Sequence, residues 1–567
     1  MGSKHYRRVD VPGFVCVVNA FKAHVHTHPD KAAFVFITRA QEATLSFSEL
    51  DKCASNIARA LLDNNLVGQN VLLVFTPGLE FIKAFLGCLY AGVIPVPVNT
   101  PTQASSVDRF EKIVQDAAIG RVLTTAGLYV RFNVQDWHIP ALLVDEVADV
   151  EPDFQPGDSR PEDVAFIQYT SGSTGDPKGA VITHGNLISN LEMIKSGFSN
   201  DEHIVGVNWL PLFHDMGLVG NVLEPLWLGI TCIHMSPLEF VQKPVRWLRA
   251  ISDYKGTTSG GPTFGYAHCL ARIKDEDCAG LDLSSWRLAY CGAEPVNAQV
   301  LDAFAQRFEP FGFKASSFYP CYGMAETTLI VTGPTAGSGM RKLSVDRQAL
   351  ADGQVRPGID GIPSDVYVSN GKAINGQRVV IVHPDGGGTL AENQVGEVWV
   401  AGNSVAAGYL NNPEATAERF ACQPKGGSAD FYRTGDLGFL RDAELYITGR
   451  LKDVIILRGR NYYPQDIEHV TYGAVEGLRE GCGVAFSNNA ESDEQLIIVY
   501  EVEKNHINTL DKASVITRIR QAVINHFGVS PHQVILIKPK GIPKTSSGKL
   551  RRSALAQLFR QGALEVL

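Results

Sequence analysis

Between Asn70 and Val98 the chain spells out a strand, a helix and a second strand, and that order restricts the fold more than any other segment. NVLLVF at 70–75 is an apolar run of buried-strand length, broken by Pro77 and Gly78. Leu79 to Tyr90 is a helical stretch ended by Gly92, and VIPVPV at 93–98 is extended again. Apolar runs recur at 121–125 (RVLTT) and 141–145 (ALLVD), with room for helices between them. This alternation predicts an α/β layout with largely parallel sheets.

At 567 residues the chain exceeds one ordinary domain, and its last part has a different character. LIIVYEVE at 496–503 and VILIKPK at 534–540 read as strands. Between them Ala513 to Phe527 places Val515, Ile516, Ile519, Val523, Ile524 and Phe527 on one helical face, with Gly528 as the stop. The expectation is a large α/β unit over 1–450 and a small α+β unit over 451–567. Residues 150–162, acidic and proline-rich, read as a joint within the first.

The net charge of −9 argues against nucleic acid as a partner. Ten cysteines without a CxxC pair exclude a zinc ribbon or disulfide scaffold and read as reduced thiols. MGSKHYRRVDVPGF at the start has no apolar h-region and so is not a secretory signal. The longest apolar stretch, Phe85 to Val98, carries two prolines and is too short to span a bilayer. A cytoplasmic protein with no stable membrane insertion is expected.

Chemistry concentrates in a few segments. YTSGSTGDPKG at 169–179 follows the strand-like FIQY and ends in a lysine. Gly172 and Gly175 let backbone N–H groups approach phosphate oxygens, Thr170, Ser171, Ser173 and Thr174 add donors, and Lys178 adds charge. It is not a Walker A loop, because GxxxxGK[ST] is absent. In YGMAETT at 322–328, Glu326 beside small residues and hydroxyls could hold Mg²⁺ while phosphates supply the other oxygens. Asp436 in RTGDLG is a short carboxylate between glycines, suited to two ribose hydroxyls. CGAEP at 291–295 has little chemical content of its own and reads equally well as a turn. A lysine as near the end of a chain as Lys549, in PKTSSGKL, is ordinarily a solvated tail residue.

Together with GRLKDVIILRGRNYYPQDIE at 449–468, these segments resemble the adenylate-forming superfamily, in order and over nearly the whole chain. The resemblance implies a large multi-subdomain N-terminal adenylating domain and a small mobile C-terminal lid. It implies ATP and Mg²⁺ as cofactors, with Glu326 and Thr170 at the metal. Tyr322, Gly323 and Thr327 would lie at the nucleotide, Tyr322 against the adenine. Gly292, Ala293 and Glu294 would meet its edge, and Asp436 with Arg450 would hold the ribose or α-phosphate. Lys549 takes the adenylating role, in which an ammonium bridges carboxylate and phosphate as negative charge builds. Lys452 is the hinge.

Within the superfamily the chain resembles the fatty acyl-AMP ligases. WLPLFHDMGLVGNVLEPLWLG at 209–229 implies an acyl site beside His214 and Asp215, and RGRNYYPQDIE at 458–468 has that group's wording. The interval from Glu326 to Asn370 is longer than in acyl-CoA synthetases, and roughly Gly333 to Val355 resembles the ligases' insertion, which restrains the lid and disfavours CoA. SGGPTFGY at 259–266 would line the acyl pocket, with Gly260 and Gly261 making room for a chain and Phe264 or Tyr266 setting its depth. A buried tail of about ten methylenes contributes about 8 kcal/mol, whereas neighbouring lengths differ by only about 1–3 kcal/mol. A medium- or long-chain fatty acid is the expected substrate, with β-hydroxy and aryl acids open.

The expected acceptor is a separate holo acyl carrier protein, or a carrier domain of a polyketide or nonribosomal peptide synthase, since the chain ends at Leu567 soon after PKTSSGKL. The alternative is a fatty acyl-CoA synthetase sharing the first half-reaction. An inactive nucleotide- or acyl-binding regulator would be expected to lose Lys549, Glu326 or Asp436, and all three are present. The absence of kinase motifs disfavours phosphotransfer.

Overall fold

The computed structural model describes residues 15–567 apart from 101–103, 151–153, 171–176, 202, 458–459, 491–492 and 546–548. Strands Asn70–Val74 and Ile94–Val98 flank the helix Leu79–Ala91, which Gly92 closes in the left-handed region at φ 63°. Together with Arg121–Thr124 and Ala141–Leu143 they form a four-stranded parallel sheet, with Ile94–Val98 at its edge. An edge position is what lets Pro95 and Pro97 sit in a strand, because neither can donate to a ladder. The helix packs against Phe47–Asp63 through Gly87, where a Cβ would lie 2.6 Å from Ile57.

A seven-stranded sheet lies beside it, ordered Phe318–Pro320, Leu288–Cys291, Thr258–Gly261, Val205–Asn208, Thr231–Met235, Ala32–Ile37, Glu42–Ser46. All its pairings are parallel except the last. One apolar core, including Phe34, Val71, Phe85, Trp209 and Trp247, joins the two sheets. Parallel strands end at a common edge, and in open α/β sheets ligands bind in the crevice outside those carboxyl ends. Here Trp209, Pro262 and Gly292 leave the strands on that side.

An antiparallel sheet of Arg378–Val382, Gly396–Ala401, Tyr432–Arg441 and Glu444–Arg450 carries RTGDLG. From the strand Ile330–Gly333 the stretch resembling an insertion runs into the strand Lys342–Asp346, paired with Ser364–Val368, and then the helix Arg347–Ala351. The acidic joint is irregular from Phe154 onward; its first residues, 151–153, lie outside those described. Phe154 stacks on Tyr90 with ring centroids 6.2 Å apart.

The C-terminal part has a sheet of Leu478–Ala490, Asp493–Val502 and Gln533–Ile537. Alternation along the middle strand divides its side chains between two faces. Ile498, Tyr500 and Val502 join Ile519 and Val523 of the helix Lys512–Phe527. Ile497 and Val499 face Leu555 of the helix Arg552–Arg560. Both clusters draw only on residues from Ile455 onward. Ile524, predicted on the buried face, is instead 39 % exposed, one turn before the Gly528 cap where the helix leaves its sheet. Among the described residues no helix is long and apolar enough to cross a membrane.

Candidate active site

The strands Val164–Tyr169 and Gly179–Thr183 form a hairpin whose loop is the serine- and glycine-rich segment. Its neck is closed by the Thr170 N–H donating to the Lys178 carbonyl at 3.0 Å, and Arg109 donates to the Thr170 carbonyl at 2.7 Å. Ser171, Gly172, Ser173, Thr174 and Gly175 lie outside the described residues. The Lys178 ammonium lies 5.1 Å from the ring centroid of Tyr409. The Tyr409 hydroxyl donates to Glu326 Oε1 at 3.0 Å and lies 3.3 Å from that of Tyr432. Lys178, Tyr409 and Glu326 thus form one chain of contacts, in which burial raises the Glu326 carboxyl above its ordinary range.

Asp436 and Arg450 face each other in register on adjacent antiparallel strands, with Nε 3.0 Å from Oδ1. The Tyr322 hydroxyl donates to the other carboxylate oxygen at 2.8 Å. Asp436 raises the Arg450 guanidinium further above its ordinary value. Gly292, Ala293 and Glu294 leave the strand Leu288–Cys291 in a tight turn with Ala293 at φ 69°. That left-handed conformation is uncommon for a side chain with a Cβ. Glu294 Oε1 accepts the Phe264 N–H at 2.8 Å, and burial raises its carboxyl.

Lys549 arrives from the far end of the chain. Its backbone is held in a small loop, where Thr545 Oγ1 accepts the Lys549 N–H at 3.0 Å and the Lys549 carbonyl accepts the Thr545 N–H at 2.7 Å. Burial and then Arg450 lower the ammonium's proton affinity, while Asp215, Glu294 and Asp436 pull it back in part. Those four residues are therefore its electrostatic neighbours. Asp215 is 9 % exposed, and its Oδ1 lies 2.6 Å from His214 Nδ1. Burial alone would raise this carboxyl, but His214, with Lys549 behind it, holds it below the ordinary range.

One continuous cleft of about 2460 Å³ connects these groups, from Thr170 and Lys178 through Glu326, Asp436 and Lys549 to His214 and Asp215. Gly323 and Phe264 also line it. Lys452, in the short turn Leu451–Asp453, stands exposed at the rim. The cleft walls still strip part of its hydration, and with Arg450 nearby this brings it down to about 8.

Four expected site residues face away from the cleft. A Cβ on Gly260 would collide with the Tyr290 backbone carbonyl, and one on Gly261 would lie 2.5 Å from the Trp209 ring. These glycines make room for neighbouring protein, not for a chain. Tyr266 is fully buried among Trp247, Phe304 and Phe318, and its hydroxyl donates to the Tyr290 carbonyl at 2.9 Å. Thr327 is also fully buried and donates to the Met324 carbonyl at 2.9 Å, tying off its own turn.

The cleft also holds groups not anticipated from sequence. Beyond His214 it runs along the helical stretch Asp215–Leu228, where Gly220, Asn221 and Glu224 line it opposite Phe198, Tyr290 and Leu329. The available signal was Glu224, a charged residue within the largely apolar run LVGNVLEPLWL. For Tyr409 and Arg109 there was none, since both reach the site by long-range packing.

Residues 21–410 match the family described as AMP-binding enzyme. The chain is 39% identical to a medium-chain-fatty-acid–[acyl-carrier-protein] ligase of Moorena producens, over 98% of this chain and 96% of that one. It is 33% identical to a long-chain-fatty-acid–AMP ligase of Mycobacterium tuberculosis, over 95% and 96%. A fatty acyl-adenylate ligase from L. pneumophila, solved in complex with acyl adenylate and pyrophosphate, superposes with a TM-score of 0.77 at 39% identity, covering 97% of both chains.

Proposed function

The chain belongs to the family of AMP-binding enzymes, and from that premise we propose that it is a fatty acyl-AMP ligase serving a carrier protein. In the first half-reaction a fatty acid carboxylate oxygen attacks the α-phosphorus of ATP. The new O–P bond replaces the α–β anhydride bond, and pyrophosphate leaves. In the second, the phosphopantetheine thiol of a separate holo acyl carrier protein, or of a carrier domain, attacks the acyl carbonyl. It loses its proton and expels AMP.

The observation that carries this reading is the meeting of Lys549 with Asp215, Asp436 and Arg450 in one cleft. An ammonium placed there faces both a carboxylate arriving past His214 and a phosphate held near Arg450, and offsets their repulsion. Asp436, fixed by Tyr322 and Arg450, is left to accept ribose hydroxyls, and the turn at Gly292–Glu294 offers backbone groups to the base. The donor set suits Mg²⁺, which takes one or two protein carboxylates and completes its shell with phosphate and water oxygens. Glu326, engaged by Tyr409 through one oxygen, would be the main ligand, with Thr170 beside it. When bound, the ion would neutralise charge on the triphosphate. Walls that exclude water would protect the mixed anhydride.

Lys452, in the turn between the N-terminal sheets and the unit from 451 onward, is the proposed pivot by which Lys549 withdraws before the thiol enters. The stretch 333–355 is the proposed restraint on that movement. Arg347 donates to the His526 carbonyl at 2.7 Å, pairs with Asp365 at 2.8 Å and lies over the Phe527 ring, while Gln348 accepts from Arg460 at 3.3 Å. Charge-assisted bonds of this kind contribute about 1.5–3 kcal/mol each. Arg347→Ala is therefore expected to raise acyl-CoA formation about tenfold or more over the parent while leaving acyl-AMP formation within a few-fold, read by mass with CoA as the acceptor. The ten cysteines, all free thiols, support a cytoplasmic setting.

The primary test supplies ATP, Mg²⁺ and a medium-chain fatty acid with either CoA or a holo acyl carrier protein, and separates products by mass. Acyl-AMP that persists with CoA and is discharged onto the carrier is the expected result. Rapid acyl-CoA formation would move the chain to the synthetases.

A further inference from the structure

The helical stretch beyond Asp215 is apolar almost throughout, with Leu218, Val219, Val222, Leu223, Leu226 and Trp227 all buried. Glu224 breaks that pattern. It lines the cleft, is 3 % exposed, and lies nine residues (215 to 224) past Asp215, roughly 13 Å along a helix. A π-helical segment, Val219–Leu223, lies immediately before it, a distortion that recurs at functional sites.

Burying a carboxyl is costly unless its oxygens find partners. Glu224 Oε1 accepts the Asn200 amide at 3.2 Å. Its Oε2 and the Asn200 Oδ1 have no hydrogen-bond partner among the described residues, although both atoms are buried. The neighbouring polar groups on the same wall are satisfied: the Tyr290 hydroxyl and the Asn221 amide pair at 3.2 Å, and that amide also donates to the Met216 carbonyl at 2.8 Å. On this wall the unused hydrogen-bonding capacity is at the Glu224–Asn200 pair; elsewhere in the cleft Gln168 Oε1 and Trp209 Nε1 are also buried without a partner among the described residues.

We propose that Glu224 and Asn200 form a polar receptor at the far end of the acyl channel, selecting acids whose tail ends in a hydroxyl over plain fatty acids of equal length. This rests on the acyl-activating reading above. A hydroxyl can donate its proton to Glu224 Oε2 or Asn200 Oδ1, the two buried oxygens left without a partner. A terminal methyl satisfies neither group. A terminal ammonium would favour the ionised carboxylate, which burial, with Glu192 nearby, disfavours by pushing the Glu224 carboxyl well above its ordinary range. Phe198, Gly220 and Leu329 line the same cleft and offer apolar surface to a methylene chain.

The test measures kcat/KM for adenylation, by pyrophosphate release from the full chain with ATP and Mg²⁺. The substrates are medium- and long-chain acids and their terminally hydroxylated counterparts. At the best length the hydroxylated acid is expected to lead by about tenfold or more, the penalty of leaving buried polar atoms unpaired. Glu224→Leu should abolish that lead by slowing the hydroxylated acid and sparing the plain one, whereas Glu224→Gln, which still donates and accepts, should keep most of it. Asn200→Leu is the second variant and should also reduce the lead if Glu224→Leu does not fold. Plain acids equal or superior at every length, or a lead that survives both leucine variants, would overturn the receptor while leaving acyl activation intact. Adenylate from neither class of acid would instead overturn the acyl-activating reading.

Discussion

Lys549→Ala is expected to lower acyl-AMP formation by about 10²- to 10³-fold, the usual cost of removing a preorganised charge aimed at a transition state. Transfer from supplied acyl-AMP to the carrier should stay within a few-fold of the parent. The asymmetry follows from where the ammonium sits. Its neighbours are Arg450, Asp215, Glu294 and Asp436, groups that would surround the carboxylate and α-phosphate in the proposed first half-reaction. In the proposed mechanism the second needs a thiol at the acyl carbonyl, on a path the lysine would otherwise occupy. Burial and Arg450 also lower this lysine's proton affinity. Because the charged form acts, adenylation should fall on the basic side at a lower pH than an ordinary lysine near 10.4 would set. Quenched-flow measurement of each half-reaction with the same preparation separates the roles, and equal loss of both halves would sink the withdrawing-lysine mechanism.

Gly260→Ala should damage stability and leave acyl selection alone. Gly260 pairs in register with Tyr290 on the adjacent parallel strand, and the added Cβ would overlap the Tyr290 backbone carbonyl. A backbone atom within a central sheet cannot step aside as a side chain can, so the cost should reach about 3 kcal/mol, the upper part of the usual overpacking range. A thermal transition several degrees lower, with the chain-length profile unchanged, is expected from scanning calorimetry and a fatty acid series. Phe264→Ala is the counterpart. Phe264 is 40 % exposed and lines the cleft, so its truncation should change the length profile and leave the transition nearly in place. An unchanged transition in Gly260→Ala, with preference moved to shorter acids, would return that glycine to the pocket wall.

The sequence alone determined the features whose physics is local. The parallel sheet around Asn70–Val98 was legible because strand and helix periodicities and the Gly92 stop act within a few residues. The helix Lys512–Phe527 was legible because it carries its own apolar face. Glu326 and Asp436 drew attention by residue type and Arg450 and Lys549 through the family resemblance, and all four line one cleft.

Tertiary structure alone decided which side of an element each residue presents. SGGPTFGY reads as pocket lining, yet Gly260, Gly261 and Tyr266 turn into protein because Trp209 and Tyr290, supplied by other strands, fill the space beside them. Tyr409 meets Glu326, Arg109 meets Thr170, and Glu224 meets Asn200 across chain separations that no local pattern encodes. Local propensity sets the elements; which atoms become neighbours in a densely packed interior depends on every element at once.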